Sequence, residues 1–451
     1  MNLSQINSIY FLGIGGIGMS ALARYFNFEG KQIAGYDRTA TPLTEALQNE
    51  GIQIHFEERI DLIPEDTGLV IYTPAIPNDN KEFVHLQKSG IPMLKRSEIL
   101  GEICKDYFTI AIAGTHGKTT ITSMVTQLLK HNGIAVNAFI GGIANNFNSN
   151  LVLSKNAKVM VVEADEFDRS FLTLHPDVAI ISAMDADHLD IYDNAAYLKE
   201  SFFLFSEQIR TGGWLIHRAT LDTSPRFEGK RISYAAKDNA DYRADDIRVE
   251  KGSTLFTLYK DNKAQGAFRL TMPGNHNVEN ATAAIIAASI YGLELSQIAD
   301  ALANYTGVQR RFQFIIRDEN LVMIDDYAHH PEEIKASVQA ARSLYPGRKL
   351  SVVFQPHLFS RTRDFMDDFA ASLSAADELI LLDIYPAREK PIEGITSSAL
   401  LDKVTLANKQ LCSKEELPEQ IARMKPEVLI MMGAGDIDRL VTPVKEKLLK
   451  R

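Results

Sequence analysis

The chain of 451 residues is too long for one ordinary core, and its 45% hydrophobic and 24% charged residues are the balance of a globular protein, not a disordered one. A formal net charge of −10 argues against nucleic acid as a partner, and no apolar run approaches the roughly 20 residues that a membrane span needs. Cys104 and Cys412 lie far apart, with neither metal-ligand spacing nor a disulfide framework, and the first residues carry no basic targeting segment, so the chain reads as cytoplasmic.

Short apolar runs alternate with helix-length amphipathic stretches, which predicts an α/β fold with largely parallel sheets in three blocks: 1–105, 106–309 and 310–451. The first block opens with a strand over Ser8–Leu12, a glycine turn over Gly13–Gly18 and a helix running through Phe28. A strand over Gln32–Tyr36 then ends at Asp37, and a later run, Leu69–Tyr72, ends in Thr73, Pro74, Ala75, Ile76 and Pro77. Strand, glycine turn and helix make a diphosphate cradle, and Asp37 stands where a ribose-binding acid would. By itself this block reads as the NAD(P) site of an oxidoreductase, although such a turn binds any diphosphate.

The second block carries the strongest single signal. A strand over Phe108–Ala113 feeds AGTHGKTT at 113–120 and then a helix. Backbone N–H groups of such a loop cradle phosphates, Lys118 would reach the β- and γ-phosphates, and the Thr119 hydroxyl would bind Mg²⁺. Gly114 makes the loop shorter than the usual G-x4-G-K spacing. Two further strands, Val159–Val162 and Val178–Ser182, run into Glu163 and into Asp185–His188. Glu163 stands where a metal-binding carboxylate belongs, and His188 lies at the same sheet edge. Each has a plainer reading, Glu163 as a solvated member of the acidic run EADEFD and His188 as a structural histidine. A polar, strand-like stretch from Trp214 to Leu270 follows, and PGNHNV at 273–278 opens an alanine-rich helix. A dehydrogenase needs no metal-dependent triphosphate loop. Two phosphate cradles on two sheets suggest one for ATP and one for a nucleotide-linked substrate.

In the third block, strands over Leu321–Ile324, Leu350–Phe354, Glu378–Leu382 and Glu427–Met432 end in DDYAHHP, QPHLFSRT, DIYPARE and GAGD. Ligands of open α/β sheets sit outside the carboxyl ends of strands, where all these motifs fall.

Taken in order, GIGGIGMS at 13–20, GTHGKTT at 114–120, EADEFDRSF at 163–171, DADHLDIY at 185–192, PGNHNVENATAA at 273–284, RRF at 310–312, DDYAHHP at 325–331 and FQPHLFSRT at 354–362 resemble the Mur ligase family over the whole chain. The resemblance implies a Rossmann-like N-terminal domain, a P-loop-type central ATPase domain with a parallel sheet and a Rossmann-like C-terminal domain. It implies an ATP- and Mg²⁺-dependent enzyme that joins L-alanine to the lactyl carboxylate of UDP-N-acetylmuramate through an acyl phosphate, in peptidoglycan precursor synthesis.

On this resemblance Gly15, Gly16, Ile17 and Gly18 approach the UDP diphosphate, Asp37 lies near the uridine, and Thr73, Pro74, Ala75 and Ile76 line the remainder. Gly114, Thr115, His116, Gly117, Lys118, Thr119 and Thr120 hold ATP, and Thr119, Glu163 and His188 hold metal. His276, Asn277 and Asn280 contact the adenine side, while Arg311 and Asp326 reach ATP from the third block. His329, His357 and Arg361 face the amino acid and the reacting carboxyl. Lys118, Arg311 and one of His188 and His329 would carry the chemistry. Without the family, Arg311 reads as an ion-pair partner, the asparagines as helix caps and the third-block histidines as core or capping residues. Leu358 departs from the pattern, since many relatives carry arginine after the histidine. Related ligases carry a carbamylated lysine on a second metal, and the nearest candidate, Lys199, does not fit that spacing. Competing readings are a paralogous ligase that adds a murein tripeptide or another amino acid, and a nucleotide-binding protein without turnover.

Overall fold

The computed structural model describes residues 3–185, 195–250, 252–387 and 389–450. Three sheets carry the fold. The first has five strands, β1 (Ser8–Leu12), β2 (Gln32–Tyr36), β3 (Gln53–His55), β4 (Leu69–Tyr72) and β5 (Met93–Lys95), in the order β3-β2-β1-β4-β5. All its pairings are parallel. The chain order reverses between β1 and β4, so the glycine turn after β1 opens at the switch point of the sheet, where such folds bind ligands.

The second sheet has ten strands: β6 (Phe108–Ala113), β7 (Val136–Ala144), β8 (Ser149–Val152), β9 (Val159–Glu163), β10 (Val178–Ile181), β11 (Trp214–Arg218), β12 (Lys230–Ala236), β13 (Tyr242–Glu250), β14 (Ser253–Lys260) and β15 (Lys263–Leu270). Their order is β15-β14-β13-β12-β11-β10-β6-β9-β7-β8. The central strands β6, β9 and β10 are parallel neighbours, buried along almost their whole length as their unbroken apolar sequences require. The phosphate loop, Glu163 and Ser182 therefore emerge side by side at one edge. Only the β7–β8 hairpin turns antiparallel among the pairings at this end of the sheet.

The third sheet has six strands: β16 (Gln313–Arg317), β17 (Val322–Asp326), β18 (Leu350–Phe354), β19 (Glu378–Leu381), β20 (Lys409–Leu411) and β21 (Val428–Met432), in the order β16-β17-β21-β18-β19-β20. Alternation along its strands sorts the core into two faces: Val322, Ile324, Val352 and Phe354 on one, Met323, Val353, Leu429 and Met431 on the other. β17 runs two residues further than the sequence pattern indicated. Asp325 and Asp326 continue the ladder opposite Met431 and Met432 and are buried, so the strand does not stop before its acidic pair.

The chain divides into two compact units, one of Met1–Asp246, Phe256–Phe268 and Glu279–Thr306, the other of Ile247–Leu255, Arg269–Val278 and Gly307–Arg451. Most of the first two blocks thus lies in one unit, while Ile247–Leu255 and Arg269–Val278 of the second block fall in the other. An apolar cluster shared by the two blocks explains their joint unit, since Phe11, Leu22 and Ile103 pack in one core with Phe139, Met160 and Phe171. Among the described residues, no helix is long and apolar enough to cross a membrane.

Candidate active site

The phosphate loop is shaped by two glycines. Gly114 has φ +135 and Gly117 has φ +85, backbone that side-chain-bearing residues rarely adopt. A Cβ on Gly114 would also lie 2.8 Å from the Ala183 nitrogen, and one on Gly117 would lie 2.7 Å from Asn280 Oδ1. The loop is stitched to the end of β10: the Thr115 amide donates to the Ala183 carbonyl at 3.2 Å, the Asp185 amide donates to Thr115 Oγ1 at 3.1 Å, and Ser182 Oγ donates to the His116 carbonyl. Gly117 ends the loop as the N-cap of the helix Lys118–His131, so the amides of the first turn point at whatever occupies the cradle. Thr115, Thr119 and Thr120 are buried against it, and His116 Nε2 stands 3.5 Å from Asp185.

Lys118 is the centre of this edge. Its ammonium donates to the Gly114 carbonyl at 2.7 Å and to both oxygens of Glu166 at 2.8 Å. Burial acts to lower its pKa, but Glu166, Glu163 and Asp165 outweigh burial and raise it, which keeps the ammonium charged. Glu163, at the end of β9, accepts the Gly141 amide at 2.9 Å and is hydrogen-bonded to Thr119. Burial pushes its carboxyl above the usual carboxylate range, against the pull of Lys118 and those donors. Glu163 and Thr119 are oxygen donors of the kind Mg²⁺ takes. Among the described residues no three His, Cys, Asp or Glu side chains gather into a metal site, so phosphate oxygens and water would have to complete the shell. His188 lies outside the described residues. Lys199 pairs instead with Asp222 at 2.5 Å.

The glycine turn of the first sheet is equally defined. Gly13 has φ +84 and hydrogen-bonds the Tyr36 carbonyl at 2.8 Å, and Gly16 is the N-cap of the helix Ile17–Phe28. Asp37 Oδ2 accepts the Gly15 amide at 2.7 Å, and its Oδ1 accepts the Thr39 amide at 3.2 Å. The carboxylate read from the sequence as a ribose acid thus also holds the loop that would hold the diphosphate. The turn Thr73–Ile76, closed by an Ile76–Thr73 hydrogen bond at 3.1 Å, packs against Gly13 through Thr73 and Ile76. The nine residues expected to form the UDP site are therefore together at one sheet end.

In the second unit Glu333, at the third position of the helix Pro331–Leu344, is a hub that the sequence reading missed. It accepts the amides of His329 and His330 at 3.0 and 3.3 Å, and pairs with Arg311 at 3.5 Å and with His329 Nδ1 at 3.3 Å. Arg311 also lies over the Tyr327 ring. His329 Nδ1 is 2.9 Å from the Tyr327 carbonyl, and burial, opposed by the charge of Glu333, pulls its pKa down to about 4. Its ring meets His357 edge-on at 6.2 Å, and His357 stacks on Tyr385 at 5.6 Å, which draws the ends of β17, β18 and β19 into one ridge. Arg361 follows on the helix Phe359–Asp364, close enough to help lower the His329 pKa. Leu358 caps that helix at φ 71 and donates its amide to the Tyr385 carbonyl at 2.9 Å. Asp326 accepts the Ser337 hydroxyl and the Ala328 amide, and burial raises its pKa to about 6. Asn277 donates to the Pro273 carbonyl at 2.7 Å, and burial lowers the pKa of the neighbouring His276 to about 4.

A glycine turn, a P-loop with an acidic partner and, in the second unit, a histidine–arginine ridge are parts that a nucleotide-dependent ligase carries on one chain. Family models for the Mur ligase family catalytic domain, the Mur ligase middle domain and the Mur ligase glutamate ligase domain match residues 8–108, 112–288 and 310–435. The chain belongs to the Mur ligase family. It is 48% identical to the UDP-N-acetylmuramate–L-alanine ligase of Christiangramia forsetii over 99% of both chains, and 47% identical to that of Parabacteroides distasonis over 100% of this chain and 99% of the other. The crystal structure of the UDP-N-acetylmuramate–alanine ligase of Thermotoga maritima superposes with a TM-score of 0.84 at 29% identity, covering 98% of this chain and 99% of that one.

Proposed function

We propose that the protein joins L-alanine to the lactyl carboxylate of UDP-N-acetylmuramate at the expense of ATP, as a cytoplasmic step of peptidoglycan precursor synthesis. The observation that carries the reading is the convergence of Lys118, Thr119, Glu163 and Glu166 at the carboxyl edge of β6 and β9, in a chain that matches L-alanine ligases from end to end.

The lactyl carboxylate attacks the γ-phosphorus of ATP, which gives an acyl phosphate and ADP. The amine of L-alanine then displaces phosphate to form the amide. Phosphoryl transfer asks the protein chiefly for positioning and charge neutralisation. Lys118 supplies a cation at the phosphate loop, and the amides of Gly117, Lys118 and Thr119 supply oriented donors. Glu163 and Thr119 would hold Mg²⁺, which neutralises charge on the phosphate oxygens. Gly15, Gly16, Ile17 and Gly18 bind the diphosphate of the sugar nucleotide, with Asp37 keeping their turn in shape. His329, His357 and Arg361 receive the amino acid. A histidine with a pKa of about 4 is neutral at pH 7, so His329 can accept a hydrogen bond from the amine without taking its proton. His276, Asn277, Asn280, Arg311 and Asp326 keep their assignment to ATP on the family resemblance.

Phosphate release by the purified protein with ATP, Mg²⁺ and UDP-N-acetylmuramate, amino acid by amino acid, tests the reading. Release that needs the sugar nucleotide and is fastest with L-alanine is the expected result. Release that prefers a tripeptide would replace the named substrate, and no stimulation by any amine would overturn the ligase reading.

A further inference from the structure

Arg96 is not part of any motif used so far. It opens the helix Arg96–Cys104, directly after β5. That helix is fixed in place by its contact with the 3₁₀ turn Phe167–Thr173: a Cβ on Gly101 would lie 2.5 Å from the Thr173 carbonyl, and Thr173 Oγ1 donates to the Ser97 carbonyl at 2.8 Å. The backbone that carries Arg96 is therefore set firmly, while its head group is not. Its Nη2 lies 3.6 Å from Asp165 Oδ2, beyond hydrogen-bond range, in a partly exposed pair of the kind that contributes little.

The guanidinium rests against the first turn of the helix Ile17–Phe28. A Cβ on Gly18 would approach Arg96 Cδ to 3.1 Å and Nη1 to 3.2 Å. Glycine at 18 thus has a second physical reason beyond letting phosphate near the backbone, because a Cβ there would make the guanidinium give way by a few tenths of an ångström. Arg96 also lines one cleft with Glu163 and Asp165. It stands between the turn that would cradle the diphosphate and the carboxylate that would hold metal.

A helix N-terminus offers about half a positive charge, which falls short of what a diphosphate carries. A planar guanidinium with several fixed donors is the side chain best suited to supply the rest. We propose that Arg96 binds the diphosphate of the sugar nucleotide, leaving Asp165 to do so; the assignment rests on the substrate proposed above. Its adjacency to Gly18 selects the diphosphate over the lactyl carboxylate.

Calorimetric titration of the full chain with UDP and with UDP-N-acetylmuramate, without ATP, tests the assignment. Arg96→Ala should weaken both ligands by the same factor, about 30-fold, as expected for a charge-assisted contact. Arg96→Lys should recover part of that loss. Asp165→Asn should bind both ligands at least as tightly as the parent, since it removes the competing anion. Three results would overturn the assignment: Arg96→Ala binding UDP normally while losing UDP-N-acetylmuramate, Arg96→Ala binding both normally, or Asp165→Asn weakening both as Arg96→Ala does, which would make the pair structural. A parent protein that binds neither ligand would instead sink the sugar-nucleotide reading on which the assignment rests.

Discussion

The ammonium of Lys118 lies 2.8 Å from both oxygens of Glu166, a carboxylate with no solvent exposure. Removing one partner of such a pair strands the other charge in the interior, which destabilises a fold by about 3–5 kcal/mol. Lys118→Ala should therefore lose both activity, by about 10²–10³-fold or more, and thermal stability. Adding Glu166→Gln removes the stranded charge. The double variant is expected to regain most of the melting temperature and none of the phosphate release. Scanning calorimetry beside the release assay separates the two effects, and recovery of activity in the double variant would refute the role given to Lys118.

Asp37 shows how a residue can serve a site by holding its loop. Its Oδ2 accepts the Gly15 amide, and Asn can still offer an oxygen there. Asp37→Asn should be mild, whereas Asp37→Ala should raise the KM for UDP-N-acetylmuramate about tenfold with kcat little changed, since one hydrogen bond to a charged group contributes about 1.5–3 kcal/mol. Equal KM values for the two variants would show that the carboxylate does not position the turn.

Much of this was legible in the sequence because it is local. Strand, glycine turn and helix around Gly13–Gly18 and Gly114–Lys118 are set by neighbours in the chain, and the strand end that carries Glu163 follows from an apolar run. What was hidden comes through space. In EADEFD, spacing alone cannot say that Glu163 turns to Thr119 while Glu166 turns to Lys118. Gly141 and Ser182 matter only because β7 and β10 are brought to the same edge as β6 and β9. Glu333 looked like an ordinary first-turn glutamate, and only the fold shows it holding Arg311, His329 and His330 at once. The limits of β17 were misjudged because two aspartates resemble a strand end, yet Arg310 and Ser337 allow both to be buried.

That burial carries a pH signature. Burial raises the pKa of Asp325 to about 7, with Arg310 opposing, and that of Asp326 to about 6. Both values stand above the unfolded value of about 3.9, so the folded state holds more protons between roughly pH 4 and pH 7. Stability from these groups is greatest on the acid side of that window and falls as pH rises through it. Asp325→Asn should flatten the decline, melting close to the parent at pH 5 and about 3–5 °C above it at pH 8. Parallel melting curves for parent and variant across this range would remove Asp325 as the cause.

His329 predicts the opposite kind of profile. With its pKa lowered to about 4, it does not titrate between pH 6 and pH 8. An acid limb in kcat within that range must come from another group, and His329→Gln should leave the limb where it is. The same variant should raise the KM for L-alanine by about tenfold or more while the KM for ATP stays put, as the loss of one buried polar contact would do. A shifted limb would make His329 the titrating base after all.

Gly141 offers the sharpest test of the metal edge, because it is exposed and its φ is not unusual, so alanine there should not disturb the fold. What alanine would disturb is Glu163: a Cβ at 141 would lie 2.6 Å from the carboxylate carbon, far inside contact distance. The carboxylate would have to leave its present position, and magnesium tolerates little departure from its preferred ligand geometry. Gly141→Ala should raise the Mg²⁺ concentration for half-maximal phosphate release about tenfold, with an unchanged melting temperature and an unchanged KM for L-alanine, a loss of the size seen when a partner that orients a metal ligand is removed. Glu163→Gln should show the same metal dependence more severely. If Gly141→Ala behaves as the parent over a full Mg²⁺ titration while Glu163→Gln does not, the carboxylate reaches its metal by a route that Gly141 does not border.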